Sequence, residues 1–129
     1  IAQNMHPSGR VVNTSNLSEC CVSYGTKWGD LAGDLAPLAK LTKSEVVMVG
    51  KNLAPSLGVP ASLIEKIPSD GLCGKTDEDS LKVSYDEIDN YIRFGECKNP
   101  ASLERILELH ARAEMIEKPM TSHKFIPMA

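Results

Sequence analysis

The chain reads as an α/β protein, mostly helical with one clear strand, on three observations. A short apolar run, Val11-Val12, lies within Arg10 to Thr14 and stops at a cluster of polar residues. Two capping boxes, Thr42-Lys43-Ser44-Glu45 and Ser84-Tyr85-Asp86-Glu87, open helices farther on. A long stretch after Pro100 repeats its apolar residues every three or four positions.

Val11 and Val12 read as a buried strand, and Asn13-Thr14-Ser15-Asn16 are all good helix caps, so strand, turn and helix follow within a few residues. Such a helix start presents backbone N–H groups to an anion. Glu19 then falls in the first turn, where a carboxylate repels phosphate unless it holds Mg2+. Tyr24-Gly25-Thr26-Lys27-Trp28-Gly29-Asp30 and Asp34 follow. A carboxylate, the lysines Lys27 and Lys43, and two aspartates around glycine-rich turns suit a highly charged ligand, and a metal makes the set coherent.

The first capping box predicts a helix from Lys43 to about Ala54, with Pro55 and Gly58 marking its end or a kink. Pro60 opens a short helix through Lys66, which Pro68 stops. From Ser69 to Val83 no apolar period survives, so a mobile, lid-like connection is expected, with Asp77-Glu78-Asp79 as a solvated turn. The second box starts a helix in which Ile88, Tyr91 and Ile92 share a face and which Gly95 ends. Asn99 caps the longest helix; Pro100 sits first, Leu103, Ile106, His110, Ala113 and Ile116 form its stripe, and Pro119 closes it.

With 129 residues there is room for one modest core, and 42% apolar with 24% charged residues argues against disorder. A net charge of -3 and a pI near 5.6 give no basic field for nucleic acid. No apolar run is long enough to span a bilayer, and the expected compartment is the cytoplasm. Cys20, Cys21, Cys73 and Cys97 lack paired zinc spacing and are expected as reduced, mostly buried thiols. A calcium loop starting at Asp77 fails, because its sixth position is Lys82 and its twelfth Ile88.

Several motifs coincide with one family. Val-Asn-Thr-Ser-Asn-x-Ser-Glu ending at Glu19, Thr26-Lys27-Trp28-Gly29-Asp30, the run Asp34 to Lys43, Lys66-Ile67-Pro68-Ser69, Val83 to Ile92, and Ser122-His123-Lys124 together resemble the ATP-dependent NAD synthetases. That resemblance covers almost the whole chain. It implies a doubly wound parallel sheet of the N-type ATP pyrophosphatase superfamily, an adenine nucleotide alpha hydrolase-like fold, of which residues 1–129 are the C-terminal part. The family's Ser-Gly-Gly-x-Asp-Ser pyrophosphate loop is absent from these residues.

The resemblance also implies amidation of deamido-NAD through an acyl-adenylate, with ATP, Mg2+ and ammonia, in a homodimer. Carried over by motif, Thr14, Lys43 and Ser69 contact ATP; Lys27, Asp34, His123 and Lys124 contact deamido-NAD; Glu19 holds Mg2+. Four of these have a plainer alternative. Thr14 serves equally as a helix cap, Glu19 as a partner of the helix dipole, Lys27 as a surface lysine, and His123 as a solvated tail residue. Lys43 in a first turn opposes its helix dipole, which favours a ligand role. After Ser69 the chain has Asp70-Gly71 where many members have Ala-Asp, a departure that predicts a differently shaped lid. Trp28 either stacks on a base or packs, and His110 reads as a core-edge residue.

Two other readings stand beside this one. One is a non-catalytic helical module that self-associates through the Tyr91 helix and the long helix. The other keeps the fold and changes the substrate to that of another adenylate-forming amidotransferase. Free ammonia and glutamine-derived ammonia are equally compatible with these residues.

Overall fold

A computed structural model describes the backbone of residues 2–117 and the side chains of 4–114. Seven helices appear there: α1 (Ala2–Met5), α2 (Leu17–Cys21), α3 (Lys43–Leu57), α4 (Ala61–Ile64), α5 (Asp77–Leu81), α6 (Tyr85–Phe94) and α7 (Pro100–Glu117). His123 and Lys124 lie outside the described residues, as do Pro119 and the side chain of Ile116.

The expected strand is reduced to a single parallel bridge, Val12 to Leu35. Asn13 N–H donates to the Leu35 carbonyl and Asp34 N–H to the Val11 carbonyl, both at 2.8 Å. Val11 and Val12 are not buried but 41% and 51% exposed. The reason is that the described residues offer this strand one neighbour and no helix over its face. Gly33 permits the approach, because a Cβ there would lie 2.8 Å from both the Cβ and the backbone nitrogen of Asn13.

Both predicted capping boxes close. Thr42 accepts from Glu45 N–H and Ser84 from Glu87 N–H, each glutamate bonding back to its cap. α3 continues through Pro55 to Leu57, and Gly58, in the left-handed conformation with φ of 65°, terminates it by donating to the Ala54 carbonyl. Gly95 ends α6 in the same way. The Pro60 helix is shorter than expected, and Pro60 caps it from outside.

The core gathers Val22, Leu81, Val83, Tyr85, Ile88, Ile106 and Leu109, with Tyr91 and Ile92 packed on it. α7 buries Ser102, Ile106, Leu109 and Ala113, a stripe rotated from the expected one so that Leu103 and His110 fall at its edge. His110 Nδ1 meets the Cys21 carbonyl at 3.0 Å and ties α7 to α2. None of the four cysteines forms a disulfide; three are half-buried and Cys73 is exposed, which corrects the mostly buried expectation.

The expected mobile connection, Ser69 to Val83, contains α5. A third capping box, Thr76 with Asp79, starts it, and Leu81 and Val83 enter the core. A helix of five residues has too few apolar positions to register as a period. Asp77 is accordingly buried rather than in a solvated turn. Lys82 ends α5 in the left-handed region at φ 64°, which an L side chain tolerates poorly. Lys82→Gly should therefore stabilise the chain by about 0.5–1 kcal/mol in urea unfolding. Destabilisation by the same amount would contradict that account.

Candidate active site

The site is built where α2, α3 and α6 meet. Asn16 caps α2 by accepting from Glu19 N–H, and Glu19 Oε2 accepts from Asn16 N–H at 3.0 Å. This fixes the carboxylate at the helix start, leaving Oε1 to receive Lys43 Nζ, also at 3.0 Å. Lys43 comes from the first turn of α3, and its ammonium also lies 5.0 Å from the centroid of the Tyr85 ring. The proposed metal carboxylate and the proposed phosphate lysine are thus partners of each other here.

Asp89 holds this arrangement from α6. Its Oδ1 accepts from the Ser18 hydroxyl, whose Oγ in turn accepts from Lys43 N–H at 2.9 Å, and its Oδ2 accepts from Ser44 N–H at 2.8 Å. A buried carboxylate thereby takes one N-terminal donor of α3 directly and a second through Ser18, and faces the positive end of the helix dipole. The dipole cost of Lys43 in the first turn is offset by Asp89 and Glu19. That position alone is therefore no argument for a ligand. Glu45, next in the cap, is held below the usual carboxylate range by its hydrogen bond from Arg93 and the one from Thr42 N–H.

Thr14, Glu19, Lys43 and Ser69 all line one open cleft of about 1250 Å³, with Tyr24 and Asp77 on its wall. Thr14 is exposed at the end of the bridge; Asn16 is the residue that caps α2. The Ser69 hydroxyl donates to the Lys75 carbonyl at 2.9 Å and accepts from Gly71 N–H at 3.1 Å, closing a small loop over the cleft. Lys27 and Asp34 do not line it. Asp34 Oδ2 accepts from Val11 N–H at 2.7 Å beside the bridge, and Lys27 Nζ lies 5.6 Å from the ring of Trp28, which is exposed.

Both Glu19 oxygens are engaged, and no three His, Cys, Asp or Glu side chains are grouped to hold a metal among the described residues. Mg2+ nevertheless suits such a place, because it takes one or two protein carboxylates and completes its shell with phosphate oxygens and water. Glu19 fits that role if Lys43 is drawn off toward the phosphate.

Tyr85 and Asp77 were not singled out as site residues from the sequence. Tyr85 donates its hydroxyl to Asp77 Oδ2 at 3.0 Å, while Asp77 Oδ1 is buried without a hydrogen-bond partner. Burial, then the neighbouring Asp77 and Glu19 charges, push the Tyr85 phenol far above its ordinary value. Burial and Asp77 raise Tyr24 as well. A phenol whose native pKa exceeds its unfolded value near 10 stabilises the fold fully below that pH and loses the contribution as pH climbs toward the native value. The chain should keep its stability to about pH 9 and lose it progressively above about pH 10. Tyrosinate absorbance alongside urea unfolding checks this; three tyrosines ionising normally in the folded chain would contradict it.

The NAD synthase family profile matches residues 2–125. An NH(3)-dependent NAD(+) synthetase from Malacoplasma penetrans is 45% identical over 105 residues, covering 81% of this chain and 41% of the relative. Its counterpart from Mannheimia succiniciproducens is 44% identical over 104 residues, covering 80% and 40%. Among solved structures, the NMN synthetase from Francisella tularensis superposes with a TM-score of 0.78 at 39% identity, over 90% of this chain and 47% of that one. The chain therefore spans about two fifths of the length of these curated relatives. With its motifs, its fold and nearly its full length matched, the chain belongs to the NAD synthase family.

Proposed function

We propose that residues 1–129 are the C-terminal part of a single NAD synthetase domain. That domain is a doubly wound parallel sheet enzyme of the cytoplasm that amidates deamido-NAD to NAD as a homodimer. The observation that carries the reading is the convergence of Thr14, Glu19, Lys43 and Ser69 on one cleft. These four residues come from three separate motifs, which supports a shared ligand.

The chemical obstacle is one anion approaching another: the nicotinate carboxylate must reach a phosphate that already carries negative charge. Fixed cations and N–H groups around the phosphorus lower that barrier. Lys43 supplies an ammonium at the cleft wall, Thr14 and Ser69 supply hydroxyls, and Mg2+ bound at Glu19 would neutralise phosphate charge. Lys27 and Asp34, away from this cleft, would take the dinucleotide with His123 and Lys124. The nicotinate carboxylate would displace pyrophosphate from ATP to form the acyl-adenylate, and ammonia would then displace AMP to leave the amide.

The family's pyrophosphate loop is not among these residues, so the chain alone should bind ATP weakly and produce no NAD. Incubation with deamido-NAD, ATP, Mg2+ and ammonium, followed by chromatography, tests this. Measurable NAD from a preparation containing only these residues would overturn the inactivity proposal. A second reading is favoured by the name of the solved neighbour, an NMN synthetase: the acid amidated would then be a mononucleotide. Calorimetric titration of the longer protein with deamido-NAD and with nicotinate mononucleotide separates the two. Tight binding of the mononucleotide alone would replace the first reading.

A further inference from the structure

The Lys43 ammonium has two partners, and only one is a charge: Glu19 Oε1 at 3.0 Å and the face of the Tyr85 ring, 5.0 Å to its centroid. On the reading that Glu19 turns to a divalent ion and Lys43 to a phosphate, the first contact breaks whenever metal and nucleotide bind. The second does not have to. The ring is buried, its hydroxyl is held by Asp77 Oδ2, and the backbone N–H of Tyr85 donates to Glu78 Oε1 at 2.8 Å. It cannot turn away with the lysine.

We propose that Tyr85 is a positioning residue for the phosphate lysine, retaining the ammonium at the cleft wall once Glu19 is occupied by metal, with Asp77 fixing the ring. An aromatic face attracts the cation but accepts none of its N–H donors in a conventional hydrogen bond. All three donors therefore stay available to phosphate oxygens. A lysine with neither partner would lose its orientation to the freedom of a four-carbon stem in an open cleft. The carboxylate thus sets the resting position, and the ring preserves it.

Proton NMR of the 129-residue chain tests this without any turnover. The Lys43 ε-methylene resonances should lie upfield of those of the other lysines, through the Tyr85 ring current. They should stay there in Glu19→Met, shrink in Tyr85→Phe, which frees the ring from Asp77, and collapse to ordinary positions in Tyr85→Leu. Glu19→Met removes the acceptor without requiring metal to bind, so it tests the inference apart from the functional reading. Absence of any Mg2+ effect on the Glu19 carboxyl carbon would count against the metal reading alone. Collapse of the Lys43 shift in folded Glu19→Met would overturn the positioning role. Should Tyr85→Leu fail to fold, Glu19→Met and Tyr85→Phe still decide between the two outcomes.

Discussion

Asp89→Ala should cost the chain about 3–5 kcal/mol, as it removes two hydrogen bonds to a buried charge worth about 1.5–3 kcal/mol each. The carboxylate joins Ser18 of α2 to the Ser44 amide of α3 from its seat on α6. Its loss strands the buried Ser18 hydroxyl and leaves the Ser44 N–H at the start of α3 without an acceptor. Since whole domains are stable by only about 5–15 kcal/mol, this is a large share of the total. Urea unfolding measures this. Asn90→Ala, at an exposed position on the same helix, should change stability by less than about 0.5 kcal/mol. An Asp89→Ala chain within about 1 kcal/mol of the parent would contradict the clamp.

Lys43→Met should weaken ATP binding by roughly tenfold to a hundredfold, the equivalent of a hydrogen bond to a charged group. Methionine keeps the stem that covers Tyr85 and removes only the ammonium. The effect on stability should be smaller, because Glu19 lines the open cleft and water can replace the lysine. Calorimetry of the complete domain proposed above, titrated with ATP and Mg2+, measures the affinity. An unchanged affinity would exclude Lys43 from phosphate binding. It would leave the lysine as the ion-pair partner of Glu19.

What was legible in the sequence was whatever local chemistry determines. The boxes at Thr42 and Ser84 and the stop at Gly95 are set by residues within a few positions of one another, and they appear where expected. Family motifs likewise selected Thr14, Glu19, Lys43 and Ser69, which the fold brings to one cleft. The burial of Val11 and Val12 was misread because it depends on neighbouring strands, and an apolar pair carries no information about whether neighbours are present. α5 escaped notice for a different reason. Its acidic first turn resembles a solvated loop, although Thr76-Asp77-Glu78-Asp79 has the spacing of a capping box with aspartate in place of glutamate. That overlooked signal would have placed Asp77 on a helix. Its bond to Tyr85 still required the fold, as did the Asp89 clamp, whose partners lie 71 and 45 residues away.

The same dependence explains the ambiguity of Lys43. Its first-turn position looked costly, but Asp89 and Glu19, supplied by other helices, compensate the charge. Only a ligand can distinguish an ion pair that serves the fold from one waiting to be separated. The most direct measurement is a crystal structure of the complete domain proposed above, grown with ATP and Mg2+. The account predicts Mg2+ bound to Glu19 Oε1, a phosphate oxygen within hydrogen-bonding distance of Lys43 Nζ, and Tyr85 still beneath that ammonium. Nucleotide bound elsewhere, with the Glu19–Lys43 pair intact and far from any phosphorus atom, would contradict it.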